Sequence, residues 1–242
     1  MRVDTEYLNE IRENCFYCNG EGVQLVETAK GRRYEDCKCI EKIKQEIAVI
    51  EAQIPKPYRK FDLRQLKKRF KVRNPESLEN INRYLGSLDR NIRAGAGIWF
   101  TGTTGTAKSS IICYILRKSL QLGFRAHFTR ASTLMSLKFD ALRDVDERRR
   151  LQDILYEMDV LAIDEVDKVQ LSSESDFQRQ LFFDALSEAY ESGAAILLGS
   201  NDHPKKVLQK FPTFVEDRLR TLKIIPLLGT SGRSMEDATW QD

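Results

Sequence analysis

Apolar residues recur along this chain with two different periods, and the change of period marks its organisation. In residues 41–53, EKIKQEIAVIEAQ, Ile43, Ile47 and Ile50 share one side of a helix, and Pro55 and Pro57 then interrupt the chain. A boundary is expected there. A second helix is predicted to open with Asn74 as N-cap and Pro75 at its first position, carrying Leu78, Ile81, Leu85, Leu88 and Ile92 on its buried face. Short β-rich apolar runs then alternate with helical segments: 97–100 (GIWF), 125–129 (RAHFT), 160–164 (VLAID), 194–200 (AAILLGS) and 222–228 (LKIIPLL). Such an alternation predicts an α/β fold, a five-stranded parallel sheet covered by helices on both faces. No repeat of 20 to 50 residues recurs, which argues against a solenoid or propeller.

Composition adds a size limit and a local anomaly. With 242 residues, 41% apolar and 31% charged, the chain supports one substantial core and a small accessory module. No apolar run approaches the roughly 20 residues needed to cross a bilayer, and MRVDTEYLNE lacks the order of a signal peptide, so a cytoplasmic protein without a membrane partner is expected. The net charge of +3 conceals residues 56–73, where nine Lys or Arg face the single acid Asp62. Tyr58, Phe61 and Phe70 interleave with these cations in a way suited to phosphate contact and base stacking. The preferred expectation is that Phe61, Leu66 and Phe70 pack on the larger domain while the cations stay in solvent.

The stretch that passes from one period to the other carries chemistry. GIWFTGTTGTAKSSIICYIL runs from a strand through a glycine loop into an apolar-periodic helix, the context a phosphate-binding loop requires. Backbone N–H groups of Gly102, Thr103, Thr104, Gly105, Thr106, Ala107 and Lys108 and the positive end of the helix would cradle the phosphates of ATP. Lys108 would reach the β and γ groups, Ser109 would hold Mg²⁺, and Ser110 completes the loop. Ala107 stands where glycine is usual, and an alanine is expected to enter the helical turn with its methyl narrowing the space above the backbone. Downstream, VLAIDEVD puts Asp164 and Glu165 at the end of a buried strand, where carboxylates are costly without a cation or water to serve. Asp164 is assigned to Mg²⁺ and Glu165 to polarising the attacking water. Asn201, at the tip of AAILLGSND, is placed to touch the γ-phosphate or that water. Arg218 and Arg220 in FVEDRLRTL present guanidinium groups suited to a transferring phosphoryl group on a neighbouring subunit.

Four of the five cysteines lie within the first 39 residues. Cys15 and Cys18 form a C-x-x-C knuckle, and Cys37 and Cys39 close a loop whose glycines permit tight turns. Four thiolates in two close pairs predict a metal site, with Zn²⁺ the first choice and an iron–sulfur cluster the alternative. A module this small needs such a staple. Cys113 is expected in the core, and neither His127 nor His203 has ligand spacing around it.

Taken in order, GTTGTAKSS, LAIDEVD, LGSND and VEDRLR resemble the DnaC/DnaI and IstB group of AAA+ ATPases over about residues 55–235, and the GTAKS form resembles the loop of the MCM helicases. The resemblance implies an AAA+ fold without a C-terminal lid, an arginine finger at Arg218 with Arg220 in reserve, and a sensor arginine nearest to Arg233. It also implies self-association through the ATPase domain, since one subunit's finger completes the next subunit's site, and slow hydrolysis without a partner. The expected division is 1–54 as zinc module and partner-binding helix, 55–74 as basic linker and 75–242 as ATPase. The function implied is a bacterial or phage helicase loader that holds a hexameric replicative DNA helicase and helps place it on single-stranded DNA. A transposition helper of the IstB or TnsC kind and a non-hydrolysing, ATP-gated DNA-binding adaptor are the alternatives. Lys138, Arg143 and Arg148 to Arg150 are candidate DNA contacts.

Overall fold

The computed structural model describes residues 5–29, 31–169 and 176–229 and divides the chain into two compact units, Met1–Gln53 and Ile54–Asp242. The first unit begins with helix α1 (Thr5–Glu13), followed by an antiparallel hairpin of β1 (Val23–Thr28) and β2 (Gly31–Asp36) and by α2 (Lys38–Glu51). Its hydrophobic centre is small. Cys18, Cys37 and Cys39 are buried in it, and Ile11 and Ile40 pack around them.

In the second unit, two short 3-10 turns lead to α3 (Lys68–Arg73), α4 (Pro75–Gly86) and α5 (Leu88–Arg93). The basic segment 56–73 therefore folds as part of this unit. The single helix expected from Asn74 onward is broken in two. Gly86 and Ser87 are poor helix formers, Ser87 leaves helical geometry at φ −126°, and Asn91 Nδ2 caps the freed Tyr84 carbonyl at 3.0 Å. Asn74 does precede α4, but its side chain does not cap it. It bonds instead to both backbone groups of Leu228, 154 residues away, at 2.8 and 2.6 Å.

The remaining elements are β3 (Ile98–Thr101), α6 (Lys108–Gln121), β4 (Ala126–Arg130), α7 (Ala131–Asp140), α8 (Val145–Tyr156), β5 (Val160–Asp164), α9 (Asp176–Glu191), β6 (Ala195–Ser200), α10 (Pro204–Leu208), α11 (Thr213–Leu219) and β7 (Lys223–Pro226). All five strands are parallel, in the order β4-β5-β6-β3-β7. Each predicted strand is present; the bounds of 160–164 coincide with β5, and the others differ by a residue or two at their ends. Alternation sorts the side chains: Trp99, Leu161, Ile163, Ile196 and Leu198 join a cluster with residues of α7, α8, α9 and α11. The intervening positions face α6, which packs on β4, β5 and β6. Both faces are thus covered, and the strands are apolar on both sides for that reason. Gly97, between two strands, has backbone at 2.3 Å from where a Cβ would lie, so only glycine lets β3 start there.

Beyond β7 no further strand pairs among the described residues. Its outer edge meets α4, where Ser77 Oγ donates to the Pro226 carbonyl at 2.5 Å, and Asn74 takes both polar groups of Leu228.

Candidate functional site

The loop between β3 and α6 is pinned from behind. Gly102, at φ +148°, has the Leu227 carbonyl oxygen at 2.2 Å from its missing Cβ, so any side chain there would push the loop off the strand. Thr103 Oγ1 donates to the Gly229 carbonyl at 2.9 Å, and the buried Thr106 Oγ1 donates to the Thr103 carbonyl at 2.8 Å. These residues brace the loop. Thr104, Gly105, Ala107, Lys108, Ser109 and Ser110 turn toward a cleft of about 270 Å³, whose other walls are Tyr58, Asp164, Glu165, Asp167, Lys168, Ser200 and Asn201.

Ala107 differs from the expectation. It does not join the helical turn but precedes it in the left-handed region at φ 64°, ψ 16°. An L-residue there brings its Cβ close to the next carbonyl, at a cost of roughly 1–2 kcal/mol, which is why glycine is usual. Glu165 sits at φ 61°, so two strained residues line the same cleft.

The charged groups form a connected set. Lys108 Nζ donates to the carbonyls of Gly102 (2.6 Å) and Thr103 (3.0 Å) and to Asn201 Oδ1 (3.0 Å). Burial lowers the pKa of this ammonium, while Asp164, Asp167 and Glu165 oppose the shift. Ser109 Oγ donates to Asp164 Oδ2 at 2.5 Å, and the Glu165 backbone N–H donates to Asp164 Oδ1 at 2.9 Å. A hydroxyl and a carboxylate in this relation supply the oxygen ligands that a hard divalent cation takes beside phosphates. Glu165 Oε1 is paired with Lys168 Nζ at 2.8 Å.

Two partners of this site were not legible from the motifs. Asp167 accepts from Asn201 N (2.9 Å) and Asn201 Nδ2 (3.2 Å), which fixes the amide so that its oxygen faces Lys108. Gly199 of β6 leaves room for Asp164: a Cβ there would lie 2.1 Å from Asp164 Oδ1. The VDK that follows Glu165 and the glycine in LLGSND were visible as residues, but their partners lie on other strands. A separate apolar pocket of about 240 Å³ adjoins the loop at Gly105 and Ala107 and is walled by Phe61, Leu66 and Phe70. The packing expected of the basic segment is therefore present, and Phe61 also meets Tyr114 edge to face at 6.4 Å.

Arg218 is not among the residues lining the cleft. Its guanidinium pairs with Glu191 and lies over Phe214, and Arg220 pairs with Glu216 one turn away. Arg233 lies outside the described residues. Lys138, a candidate DNA contact, is instead held at 2.7 Å by Glu188 in a largely buried pair, and Arg148 donates to the Ala141 carbonyl. His203 caps α10, and His127 is held neutral by burial.

In the first unit, the thiol sulfurs of Cys15, Cys18, Cys37 and Cys39 all lie within 4.8 Å of one another, with Cys15 to Cys37 at 3.6 Å and Cys18 to Cys39 at 3.5 Å. None of these is in a disulfide. Four sulfurs about 2.3 Å from one tetrahedral ion are about 3.8 Å apart, so the spacing fits a single ion. A multi-iron cluster puts several metals between the thiolates and needs a wider set. Burial pushes the Cys39 thiol up to about 12, and the Tyr17 amide draws Cys15 down to about 7. A bound cation would offset the negative charge of the thiolates that hold it.

A glycine loop entering a helix beside an acid-tipped strand, on a parallel sheet of this order, defines a P-loop nucleotide-binding protein of the AAA+ class. The sequence profile of the IstB-like ATP binding protein family matches residues 70–220, and the chain belongs to that family. Among proteins of curated function, none matches the sequence. Solved structures share the fold at low identity. The DnaC helicase loader has 17% identity and a TM-score of 0.56, covering 67% of this chain and all of its own (100%). A putative primosome component from Streptococcus pyogenes serotype M3 has 19% identity and a TM-score of 0.57, covering 78% and 99%. The replication initiator DnaA bound to AMPPCP and single-stranded DNA has 18% identity and a TM-score of 0.52, covering 67% and 51%. Among the described residues no helix is long and apolar enough to cross a membrane.

Proposed function

We propose that this protein is an ATP-dependent helicase loader of a bacterium or phage, working in the cytoplasm. Its N-terminal module would bind a hexameric replicative DNA helicase, and ATPase domains associated with one another would help place the helicase on single-stranded DNA. The observation that carries the ATPase reading is the convergence of Lys108, the Ser109–Asp164 pair, Glu165 and Asn201 on one cleft beside an apolar pocket.

On this reading the apolar pocket takes the adenine and the loop residues Gly102 to Ser110 take the phosphates. Lys108 exchanges its bonds to the loop carbonyls for the β and γ oxygens. Ser109 and Asp164 would hold Mg²⁺, which when bound neutralises charge on those oxygens. Glu165, freed from Lys168, accepts a proton from the attacking water as the bond to the γ-phosphorus forms, and ADP leaves with the electron pair of the broken bond. Asn201, oriented by Asp167, holds that water or the γ-phosphate. Arg218, released from Glu191, would reach a neighbouring subunit's nucleotide, with Arg220 in reserve and Arg233 as sensor.

The four sulfurs of the first unit fit Zn²⁺, and a metal-stapled module in the same chain as such an ATPase suits a partner-holding role. A second reading, a transposition helper acting on double-stranded DNA, is favoured by the family profile itself, which is that of IstB. Sizing and pull-down with the source organism's replicative helicase, with and without ATP, separates them. A complex lost in a Cys15→Ser, Cys18→Ser variant supports the loader; no complex under any nucleotide condition sinks it and promotes the transposition helper.

A further inference from the structure

The basic segment turns its aromatic residues inward and leaves its cations in solvent. Phe61, Leu66 and Phe70 wall the apolar pocket; Lys67, Arg69 and Arg73 reach its rim, and these three together with Lys68 and Lys71 are exposed to solvent. Among the described residues Lys68, Arg69 and Arg73 have no acidic partner, and the segment's one acid, Asp62, is already paired with Arg64. The aromatic rings that would stack on bases are thus unavailable, and what remains is a patch of charge. Protein interfaces usually have an apolar or aromatic centre. Here only Val72 is both apolar and exposed on α3. A flexible polyanion with regularly spaced phosphates fits such a surface better than an acidic protein does.

The same six-residue helix also borders the nucleotide loop. Arg69, Phe70 and Arg73 wall the pocket whose floor includes Gly105 and Ala107. A base inserted into that pocket fixes α3 and with it the exposed cations of that helix. We propose that the exposed cations of α3 are a sequence-independent contact for the phosphate backbone of single-stranded nucleic acid, and that the affinity of this contact is linked to nucleotide binding through Phe70. This rests on the reading of the second unit as an ATP-binding protein that acts on DNA. Linkage is reciprocal: whatever factor ATP adds to the strand's affinity, the strand adds to that of ATP.

The test uses the full chain and a fluorescent oligothymidylate, with anisotropy followed across a salt titration without nucleotide. Each lost phosphate contact lowers the slope of log affinity against log salt by about 0.7 for a single strand. A combined Lys68→Gln, Arg69→Gln, Arg73→Gln variant is expected to lose about 2 from that slope, its fold checked by thermal melting. Lys68→Gln alone, which lies outside the pocket wall, is expected to lose about 0.7 and to bind nucleotide as before. An unchanged slope in the combined variant overturns the contact. A non-hydrolysable ATP analogue is expected to tighten the wild type's strand binding about five-fold or more, and the strand to tighten the analogue equally. Strand affinity indifferent to the analogue overturns the linkage. A wild type that binds no nucleotide contradicts the underlying reading instead.

Discussion

The cysteine cluster and the nucleotide cleft are both sites built from side chains brought together over distance, but they are held by opposite means. In the cleft, five strands and their covering helices position Lys108, Asp164 and Asn201, and the site is a product of the fold. In the first unit the order is reversed. A hairpin, two helices and a few apolar contacts surround four thiols, and the thiols are most of the core. Burial of two or three small side chains stabilises little against the chain entropy of some fifty residues. The cleft therefore inherits rigidity, whereas the cysteine unit, on the proposed reading, is given it by a metal ion between its sulfurs.

The sharpest way to break this contrast is to remove the sulfurs' partner. Chelation, or Cys37→Ser with Cys39→Ser, is expected to unfold the first unit, since binding at a structural site of this kind contributes about 10–16 kcal/mol. Circular dichroism and limited proteolysis should then show a single remaining transition from the sheet unit; an intact first unit would show that its apolar contacts suffice. Within the sheet unit, Gly199→Ala forces a methyl onto Asp164 Oδ1. A loss of about 1–3 kcal/mol in denaturant melts is expected, with weakened Mg²⁺-dependent nucleotide binding. Unchanged binding would mean that Asp164 tolerates displacement.

A third effect is titratable. Burial, and then the charge of Arg150, lowers the His127 pKa from 6.5 to about 4. Above about 6.5 the residue is neutral folded or unfolded and contributes nothing to pH dependence. Below it the unfolded chain takes up a proton that the folded chain refuses, so stability falls as pH drops toward about 4, by at most about 3 kcal/mol. His127→Gln should flatten that acid limb when melts at neutral and acid pH are compared, and an unaltered limb would assign it to other groups. The smallest effect is Ala107→Gly. Relief of the left-handed strain, less the entropy glycine adds to the unfolded chain, should leave a gain of about 0.5–1 kcal/mol. A melting temperature that stays level or falls would show that the loop does not bear that strain.

The sheet was legible because burial on both faces leaves apolar runs that need no knowledge of their neighbours. The glycine loop and VLAIDEVD were legible because their residues are contiguous. Asn74 was not: its position before Pro75 announced a cap, but its side chain is claimed by Leu228, a contact only the closed sheet creates. Gly199 and Asp167 escaped for the same reason, since their roles exist only relative to Asp164 and Asn201 on other segments. The helix break at Ser87 was within reach, because Gly86-Ser87 is a weak spot that an apolar stripe passes over. For the cysteines, spacing identified the set, and only the distances between sulfurs narrow it to one ion.

The outer edge of β7 has a consequence for how copies of this chain can meet. Its last polar groups are taken by Ser77 and Asn74, and Pro226 has no N–H to offer. These bonds block the end of the edge against an added strand, which works against open-ended, fibre-like growth there. Any association on this side is left to side-chain contacts.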